Sequence, residues 1–370
     1  MISWAVAALL AAPAPCGEAW PHWTRYLESF VSKDGRVIDR SSGDHSTSEG
    51  QAYALFFALV ANDRPSFARL LAWTEQNLAG GDLSANLPAW NWGRRPNRSW
   101  GVLDANSASD ADLWLGYALL EAGRLWKEPQ WDGLARRILA NVASREVTTI
   151  EGLGPMLLPG PRGFADARQV RLNPSYEPPQ VLRRFASANV PGPWAEVLES
   201  TVRMLRETAL EGAVADWVAF QPGHGFLPDA VHGRTGSYDA IRTYLWVGMM
   251  ADDDPRKAEL ARSASGLLRL LEKNGALPER VDVRSLQTRG NAPVGFAAAL
   301  LPLARTLGDA RATARLDARV TAARKDGVYG TPPTYYDQNL VLFGRGFVES
   351  RFHFAADGAL VPAWEARCAR

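Results

Sequence analysis

The sequence predicts an all-α fold in which helical hairpins close into a double ring. About twelve segments have apolar residues at helical spacing, whereas extended segments are few and short. Tight connections alternate with long ones, which indicates successive hairpins. Six hairpins would place six parallel helices inside and six helices of opposite direction outside. We see no linker that divides the chain, so residues 16–370 are expected to form one domain.

Each helical segment is supported by its apolar stripe, and many begin at a cap residue or an early proline. The segments cover residues 18–31, 48–61, 64–79, 108–126, 129–144, 177–188, 193–209, 237–250, 255–272, 293–305, 309–324 and 334–348. Short ribbons between helices are expected at 147–150 and 351–354. The long connections 80–107, 145–176 and 210–236 are rich in Gly, Pro and Trp, which is typical of loops that carry binding sites.

Composition narrows the class of partner. A net charge of +1 over 370 residues offers no electrostatic attraction for nucleic acid or for an anionic membrane. The 14 tryptophans either fill the core or form flat platforms for a ligand such as a sugar ring. The five histidines are scattered without metal-ligand spacing, so neither a metal nor another cofactor is expected.

The N-terminus predicts export. Residues 1–14 form an apolar run that ends in small residues, so residues 1–15 are interpreted as a signal peptide, although the basic start is missing. The alternative is a plain apolar N-terminus; the run is too short to cross a bilayer. Cys16 and Cys368 would pair as a disulfide in an oxidising compartment, or else remain two thiols. A secreted or periplasmic protein is therefore expected.

Acidic residues open several even-numbered helices. Glu49 starts the second segment, Asp110 the fourth and Asp239 the eighth. Because alternate helices of a double ring run parallel, these acids should share one rim. Each could instead be a helix cap: Ser46 and Glu49 have the spacing of a capping box, and Ser107 stands likewise before Asp110. The coincidence on helices of one parity favours a shared site.

Two carboxyl groups across a sugar-binding cleft suit glycoside hydrolysis, in which one donates a proton and the other acts as a base or nucleophile. A helix N-terminus lowers a carboxyl pKa, which opposes the donor role of Glu49. Burial against Tyr53 and nearby tryptophans would have to raise that pKa again.

Motifs along nearly the whole chain resemble glycoside hydrolase family 8, in particular its periplasmic endoglucanases encoded with bacterial cellulose synthase. They are Thr47-Ser48-Glu49-Gly50-Gln51-Ala52-Tyr53, Leu87-Pro88-Ala89-Trp90-Asn91-Trp92-Gly93, Asp104-Ala105-Asn106-Ser107-Ala108-Ser109-Asp110-Ala111-Asp112, Gly154-Pro155-Met156-Leu157-Leu158-Pro159-Gly160, Asn173-Pro174-Ser175-Tyr176 and Ser237-Tyr238-Asp239-Ala240-Ile241-Arg242.

The resemblance implies an (α/α)6 barrel and hydrolysis with inversion, with Glu49 as proton donor and Asp239 as general base. It implies that Asp110 holds the sugar at the cleavage point. Other implied substrate-binding residues are Tyr238, Arg242, Trp90, Trp92, Tyr176, Tyr335 and Tyr336. Gln169-Val170-Arg171 departs from the family, whose close members carry an aromatic residue there, so one stacking platform is absent or supplied elsewhere.

The expected function is that of a monomeric endo-β-1,4-glucanase acting on β-1,4-glucan, with the cellulose synthase export machinery as a candidate partner. No nucleic-acid partner is expected, and no membrane span after signal removal. Three alternatives stay open. The substrate could be chitosan, xylan or mixed-linkage glucan. The chain could be a non-catalytic glycan-binding barrel that assists polymer export, or a helical scaffold whose acids only cap helices.

Overall fold

The computed structural model describes residues 19–368, and most residues in regular secondary structure belong to helices. The helices are α1 (Pro21–Phe30), α2 (Ser48–Val60), α3 (Arg64–Leu78), α4 (Ser109–Trp126), α5 (Pro129–Arg145), α6 (Pro179–Ser187), α7 (Trp194–Thr208), α8 (Ala240–Met249), α9 (Lys257–Ser263), α10 (Gly266–Asn274), α11 (Val294–Thr306), α12 (Ala310–Ala322), α13 (Tyr335–Val348) and α14 (Glu365–Cys368). Two 3-10 turns lie at Arg40–Ser42 and Pro174–Tyr176.

Short antiparallel strands fill the loops. They are β1 (Ser46–Thr47), β2 (Asn91–Arg94), β3 (Trp100–Asp104), β4 (Val147–Ile150), β5 (Gly154–Leu157), β6 (Val170–Leu172), β7 (Val218–Gln221), β8 (Gly225–Pro228), β9 (Thr235–Gly236), β10 (Arg280–Asp282), β11 (Thr288–Arg289), β12 (Arg324–Lys325), β13 (Val328–Tyr329), β14 (Phe352–Phe354) and β15 (Leu360–Pro362). The expected ribbons at 147–150 and 351–354 correspond to β4 and β14.

The helices form the closed double ring that the sequence predicts. Helices α2, α4, α6, α8, α11 and α13 pack side by side in that order, and α13 closes on α2. Each is backed by an outer helix: α3 on α2, α5 on α4, α7 on α6, α9 on α8, α12 on α11, and α1 on α13. The expectation of an (α/α)6 barrel is therefore confirmed.

One predicted helix is wrong: the segment 255–272 forms two helices, α9 and α10, separated at Ala264 and Ser265. The amide of Gly266 donates to the carbonyl of Gly212 at 2.7 Å, a contact with a distant loop that replaces an intrahelical bond. A Cβ on Gly266 would lie 2.6 Å from the backbone of Gly212. This close approach requires the glycine and bends the chain.

Aromatic side chains fill the centre of the inner ring. Phe56 lies 5.0 Å from Trp114 and 5.3 Å from Phe343, and Trp246 lies 5.2 Å from Trp114 and 5.1 Å from Phe343, all between ring centroids. These four fully buried rings come from α2, α4, α8 and α13. Part of the tryptophan content is therefore core, as one of the two interpretations of the composition predicted.

Some expectations lie outside the described residues. The proposed signal peptide, residues 1–15, is among them, and so is Cys16, the first half of the expected disulfide with Cys368. Between residues 19 and 368 no helix combines the length and the apolar character that a bilayer crossing requires.

Glu177 should make the stability of the barrel pH-dependent. Its carboxyl is buried next to the hydroxyl of Thr201, which donates to it, and burial raises the pKa of Glu177 from 4.5 to about 8. Between these values the folded chain holds a proton that the unfolded chain has lost, so the free energy of unfolding falls as pH rises. We expect Glu177→Gln to remove this contribution, up to about 1.4 kcal/mol per pH unit.

Urea unfolding between about pH 5 and pH 8 measures how steeply the free energy of unfolding falls with pH. This range lies between the ordinary pKa of 4.5 and the raised pKa of about 8. The matched control is Glu151→Gln at an exposed glutamate, which should keep the wild-type slope. An unchanged slope in the Glu177→Gln variant would contradict the assignment.

Candidate active site

The N-terminal ends of the inner helices bring the three acids together at one rim. Glu49 lies in the first turn of α2 and Asp110 in the first turn of α4, while Asp239 immediately precedes α8. The guanidinium of Arg242 connects two of them: its Nη2 atom lies 3.0 Å from Asp239 Oδ1 and 3.5 Å from Asp110 Oδ2. The Asp239 and Arg242 side chains also face each other within one helical turn.

Glu49 does not belong to the capping box that the sequence suggests. Thr47 caps α2, since its hydroxyl accepts the amide of Gly50 at 3.1 Å. Ser46 lies in β1, where its hydroxyl donates to the carbonyl of Val37 at 2.5 Å and accepts from Arg36 at 2.8 Å. The serine is thus engaged with a preceding turn, and the predicted box between Ser46 and Glu49 is wrong.

The environment of Glu49 resolves the opposition between helix dipole and burial. Burial raises the pKa of the Glu49 carboxyl above its ordinary value, and the nearby charge of Asp239 acts in the same direction. Its own backbone amide, Arg242 and Thr47 lower it, but by less. Burial therefore outweighs the helix N-terminus, and the carboxyl keeps its proton to higher pH than a solvated glutamate.

Asp110 is almost fully buried, and its predicted cap is also absent. Ser107 donates its hydroxyl to Glu146 at 2.5 Å instead of capping α4. One Asp110 oxygen accepts the amide of Ala111 at 2.8 Å, and the other faces Arg242. Burial, together with the neighbouring Glu49, raises the pKa of Asp110 well above its ordinary value.

Asp239 has donors on both of its carboxylate oxygens. Oδ1 pairs with Arg242, and Oδ2 accepts the indole N–H of Trp217 at 3.1 Å. Two such donors fix the direction of the carboxylate. The side chain keeps 29% of its surface exposed, so solvent can reach it. Asp239 thus combines an ordered carboxylate with access to water.

Arg242 also contacts the 3-10 turn that precedes α6. Its Nη2 also donates to the hydroxyl of Ser175 at 3.0 Å, and its guanidinium carbon lies 5.9 Å from the ring centre of Tyr176. Ser175 and Tyr176 belong to the 3-10 turn Pro174–Tyr176, which Trp246 anchors by donating to the carbonyl of Ser175 at 2.8 Å. The Asn-Pro-Ser-Tyr motif therefore supports Arg242.

Two of the predicted tryptophans, Trp90 and Trp92, lie beside β1 and the start of α2. On the α2 side, Trp92 pairs with Ser46 across β1 and β2 and stacks on Trp100 at 5.3 Å. The guanidinium of Arg36 lies 4.4 Å from the ring of Trp92 and 4.7 Å from that of Trp100. Trp90 is half-buried beside Asp104, whose pKa it helps to lower by hydrogen bonding.

Three predicted tyrosines lie near the acids in different ways. The hydroxyl of Tyr335 is 3.4 Å from that of Thr47, next to Glu49. Tyr336 donates its hydroxyl to the backbone carbonyl of Tyr238 and so touches the segment before Asp239. The ring of Tyr238 packs on Tyr336, and Tyr238 remains 41% exposed. The carboxylate of the next residue, Asp239, points to Arg242.

Sequence reasoning missed Trp217, which forms the aromatic surface on the α8 side. Its ring is stacked 5.9 Å from Phe164 and 5.8 Å from His232. Arg171, in the stretch that departs from the family, lies 5.1 Å from the ring of Trp217 and forms a two-pronged ion pair with Asp229, at 2.6 and 3.2 Å. The only signal was that Trp217 lies in a long Trp-containing loop.

Asp216 was also missed. One of its oxygens accepts the amides of Ser237, Asp239 and Ala240 at 2.7, 3.1 and 2.8 Å. These bonds explain why α8 begins at Ala240 and not at residue 237 as predicted. Burial and the charge of Asp239 raise the pKa of Asp216 to about 6, against the lowering effect of the three amides. In the described part of the chain, no group of three or more His, Cys, Asp and Glu side chains has an arrangement suited to a metal ion.

The chain matches a known protein family along most of its length. Residues 2–350 match the family described as Glycosyl hydrolases family 8. The chain is 47% identical to an endoglucanase of Xanthomonas axonopodis pv. citri (strain 306), over 97% of this chain and 92% of that one. It is 45% identical to an endoglucanase of Escherichia coli (strain K12), over 95% of this chain and 93% of that one.

The fold is also similar to that of a solved endoglucanase structure. The crystal structure of endo-1,4-D-glucanase from Vibrio fischeri ES114 superposes with a TM-score of 0.88 at 41% identity, covering 94% of this chain and 99% of that one. The chain belongs to glycosyl hydrolase family 8. It is a glycoside hydrolase of the endoglucanase type.

The indole of Trp217 should matter for hydrolysis independently of packing. Trp217→Phe keeps an aromatic ring next to Phe164 and His232, removes the donor to Asp239 and makes the ring smaller. Loss of a hydrogen bond to a charged group, about 1.5–3 kcal/mol, corresponds to a kcat lower by roughly 10- to 100-fold. Hydrolysis rates on soluble carboxymethyl cellulose measure it.

The control is Trp194→Phe in the outer helix α7, which likewise removes an indole donor, here to the carbonyl of Pro191 at 3.0 Å. This variant should keep the wild-type kcat. If Trp217→Phe were as active as the control, the indole would have no part in the reaction.

Proposed function

We propose that the chain is an endo-β-1,4-glucanase that cleaves cellulose-type chains with inversion of configuration. The observation that carries the proposal is the contrast between Glu49 and Asp239 at one rim. Burial raises the pKa of Glu49, whereas the carboxylate of Asp239 is partly exposed and accepts hydrogen bonds from Trp217 and Arg242. A protonated acid and a charged base are the pair that single-displacement hydrolysis requires.

In this mechanism Glu49 gives its proton to the glycosidic oxygen as the bond from that oxygen to the anomeric carbon breaks. A water molecule attacks the anomeric carbon from the opposite face and loses a proton to Asp239. The carboxyl groups of inverting enzymes lie roughly 6.5–9.5 Å apart to admit this water. Trp217 and Arg242 hold Asp239 in one orientation, which lowers the entropy cost of aligning base and water.

The aromatic residues next to the acids support an extended substrate. Trp92 and Trp100 lie on strands joined to β1, which leads into α2 and Glu49, and Trp217 bonds to Asp239, so flat rings adjoin both proposed catalytic acids. Such rings bury the apolar faces of pyranose units. Asp110, held by Arg242, is proposed to contact the sugar at the cleavage point.

The arginine side chains beside these rings disfavour chitosan as the substrate. Arg36 lies against Trp92 and Trp100, and Arg171 lies against Trp217. Protonated amines of chitosan would be repelled at both places, whereas neutral glucose units would not. Xylan and mixed-linkage glucan are distinguished by an activity panel. A non-catalytic barrel would bind glycan without releasing product.

We further propose that the protein is secreted or periplasmic, acts as a monomer and serves cellulose synthesis, in contact with the export machinery. The apolar run in residues 1–14 supports export, and the motif resemblance to endoglucanases encoded with cellulose synthase supports the biosynthetic context.

Glu49→Gln should abolish turnover of carboxymethyl cellulose while cello-oligosaccharide binding persists, because the amide keeps the shape but has no transferable proton. In the wild type, kcat/KM should fall with rising pH, and this fall should lie above pH 4.5, the ordinary pKa of a glutamate, because burial raises the pKa of Glu49. Rate measurements across pH and titration calorimetry of the variant test both statements. Near-normal turnover by Glu49→Gln would rule out the donor role.

The stereochemistry of the first product tests the single displacement. Proton NMR of a cello-oligosaccharide digest should show the α-anomer first, because the water enters opposite the departing β-linked chain. A first-formed β-anomer would mean a covalent intermediate and would exclude Asp239 as a general base acting on water.

A further inference from the structure

The backbone that carries Asp239 is held by a side chain from a different part of the chain. A single oxygen of Asp216 accepts the amides of Ser237, Asp239 and Ala240. Asp216 is 9% exposed, so water competes little for these bonds. Its neighbour Trp217 donates to the Asp239 carboxylate. Two consecutive residues thus fix the backbone and the side chain of the proposed base.

We infer that Asp216 is a positioning residue for the reaction: it satisfies the amides at the start of α8 and thereby keeps the Asp239 carboxylate from capping its own helix. The inference rests on the proposed function, in which Asp239 is the general base.

The physical argument begins with the position of Asp239. It occupies the N-cap position of α8, where aspartate is among the preferred residues because its carboxylate accepts amides of the first turn. Here it makes no side-chain cap bond. The amides of Ile241 and Arg242 donate to the carbonyls of Ser237 and Asp239, and Asp216 takes that of Ala240. No first-turn amide is left for the Asp239 carboxylate.

Asp110, the second residue of α4, shows that an aspartate at a helix start bonds the amide of the residue after it when no other side chain takes that amide. Its carboxylate accepts the amide of the next residue, Ala111, at 2.8 Å. The equivalent amide after Asp239 belongs to Ala240 and is bonded to Asp216. Without that acceptor, the Asp239 carboxylate would gain a bond to its own helix and turn away from Trp217.

The segment that carries Asp216 is well fixed. The amide of Asp216 donates to the carbonyl of Thr235 at 2.8 Å, and the amide of Val214 donates to the hydroxyl of Tyr244 on α8 at 2.8 Å. A Cβ on Gly236 would lie 2.1 Å from the carbonyl oxygen of Val214. The two stretches are therefore in direct backbone contact, and a shift of Asp216 would move the base.

The test separates the position of the acceptor oxygen from its charge. Asp216→Asn keeps an acceptor at the same distance from the backbone and removes the charge, whereas Asp216→Glu keeps the charge and displaces the acceptor by one methylene. We expect kcat on a defined cello-oligosaccharide to stay within about fivefold of wild type for Asn and to fall roughly 10- to 100-fold for Glu. Binding of the oligosaccharide to both variants should stay within about threefold of wild type.

The matched control is Asp63→Glu at the N-cap of the outer helix α3, where Asp63 accepts the amide of Ser66 at 3.0 Å and the indole N–H of Trp23 at 3.1 Å. This change displaces a half-buried cap at the opposite end of the barrel and should leave kcat unchanged. Thermal unfolding of all variants verifies that folded protein is compared.

Three results would overturn the inference: Asp216→Glu with wild-type kcat, Asp216→Asn as impaired as Asp216→Glu, or the same loss of kcat in the Asp63→Glu control. Asp239→Asn distinguishes this failure from that of the proposed function. If Asp239→Asn is inactive while both Asp216 variants turn over normally, only the positioning role is lost. An active Asp239→Asn enzyme would contradict the proposed function itself.

Discussion

The arrangement of the acids depends on the ion pairs of one buried guanidinium group, that of Arg242. A buried cation needs anions and acceptors around it, and Asp239, Asp110 and Ser175 provide them. These partners precede or begin α8, α4 and α6, so one side chain joins three hairpins at the rim. Its charge also reaches Glu49 on α2, whose pKa it lowers without cancelling the effect of burial.

The barrel supplies the rigidity that this charge cluster needs. Directly inside the ring, Tyr53, Trp114, Trp246 and Phe343 pack edge to face and at tilted angles. Such a core shifts little, because every ring is surrounded by others at close-packed density. Trp246 connects core and site, since its indole also holds the turn beneath Arg242. The acids therefore lie on a rigid aromatic core, whereas the aromatic residues beside them belong to the connections between helices.

Much of this was predictable from the sequence. Helical periodicity predicted the double ring, and the parity of the helices predicted that Glu49, Asp110 and Asp239 would share a rim. The two capping boxes were wrong because the hydroxyls of Ser46 and Ser107 bond to groups that come close only in the folded chain. Local spacing cannot register such competition, since it considers only neighbours along the helix.

The sequence by itself determined which side chains are available, in what order, and on which ends of the helices they lie, because helical period and connection lengths are local properties. Only the tertiary structure decided their chemistry. The raised pKa of Glu49 comes from burial by other hairpins, and the orientation of Asp239 comes from Trp217 and Asp216 in a loop that no periodicity describes. Burial and hydrogen-bond competition are properties of the packed chain, and they turn an acid at a helix start into a candidate catalyst.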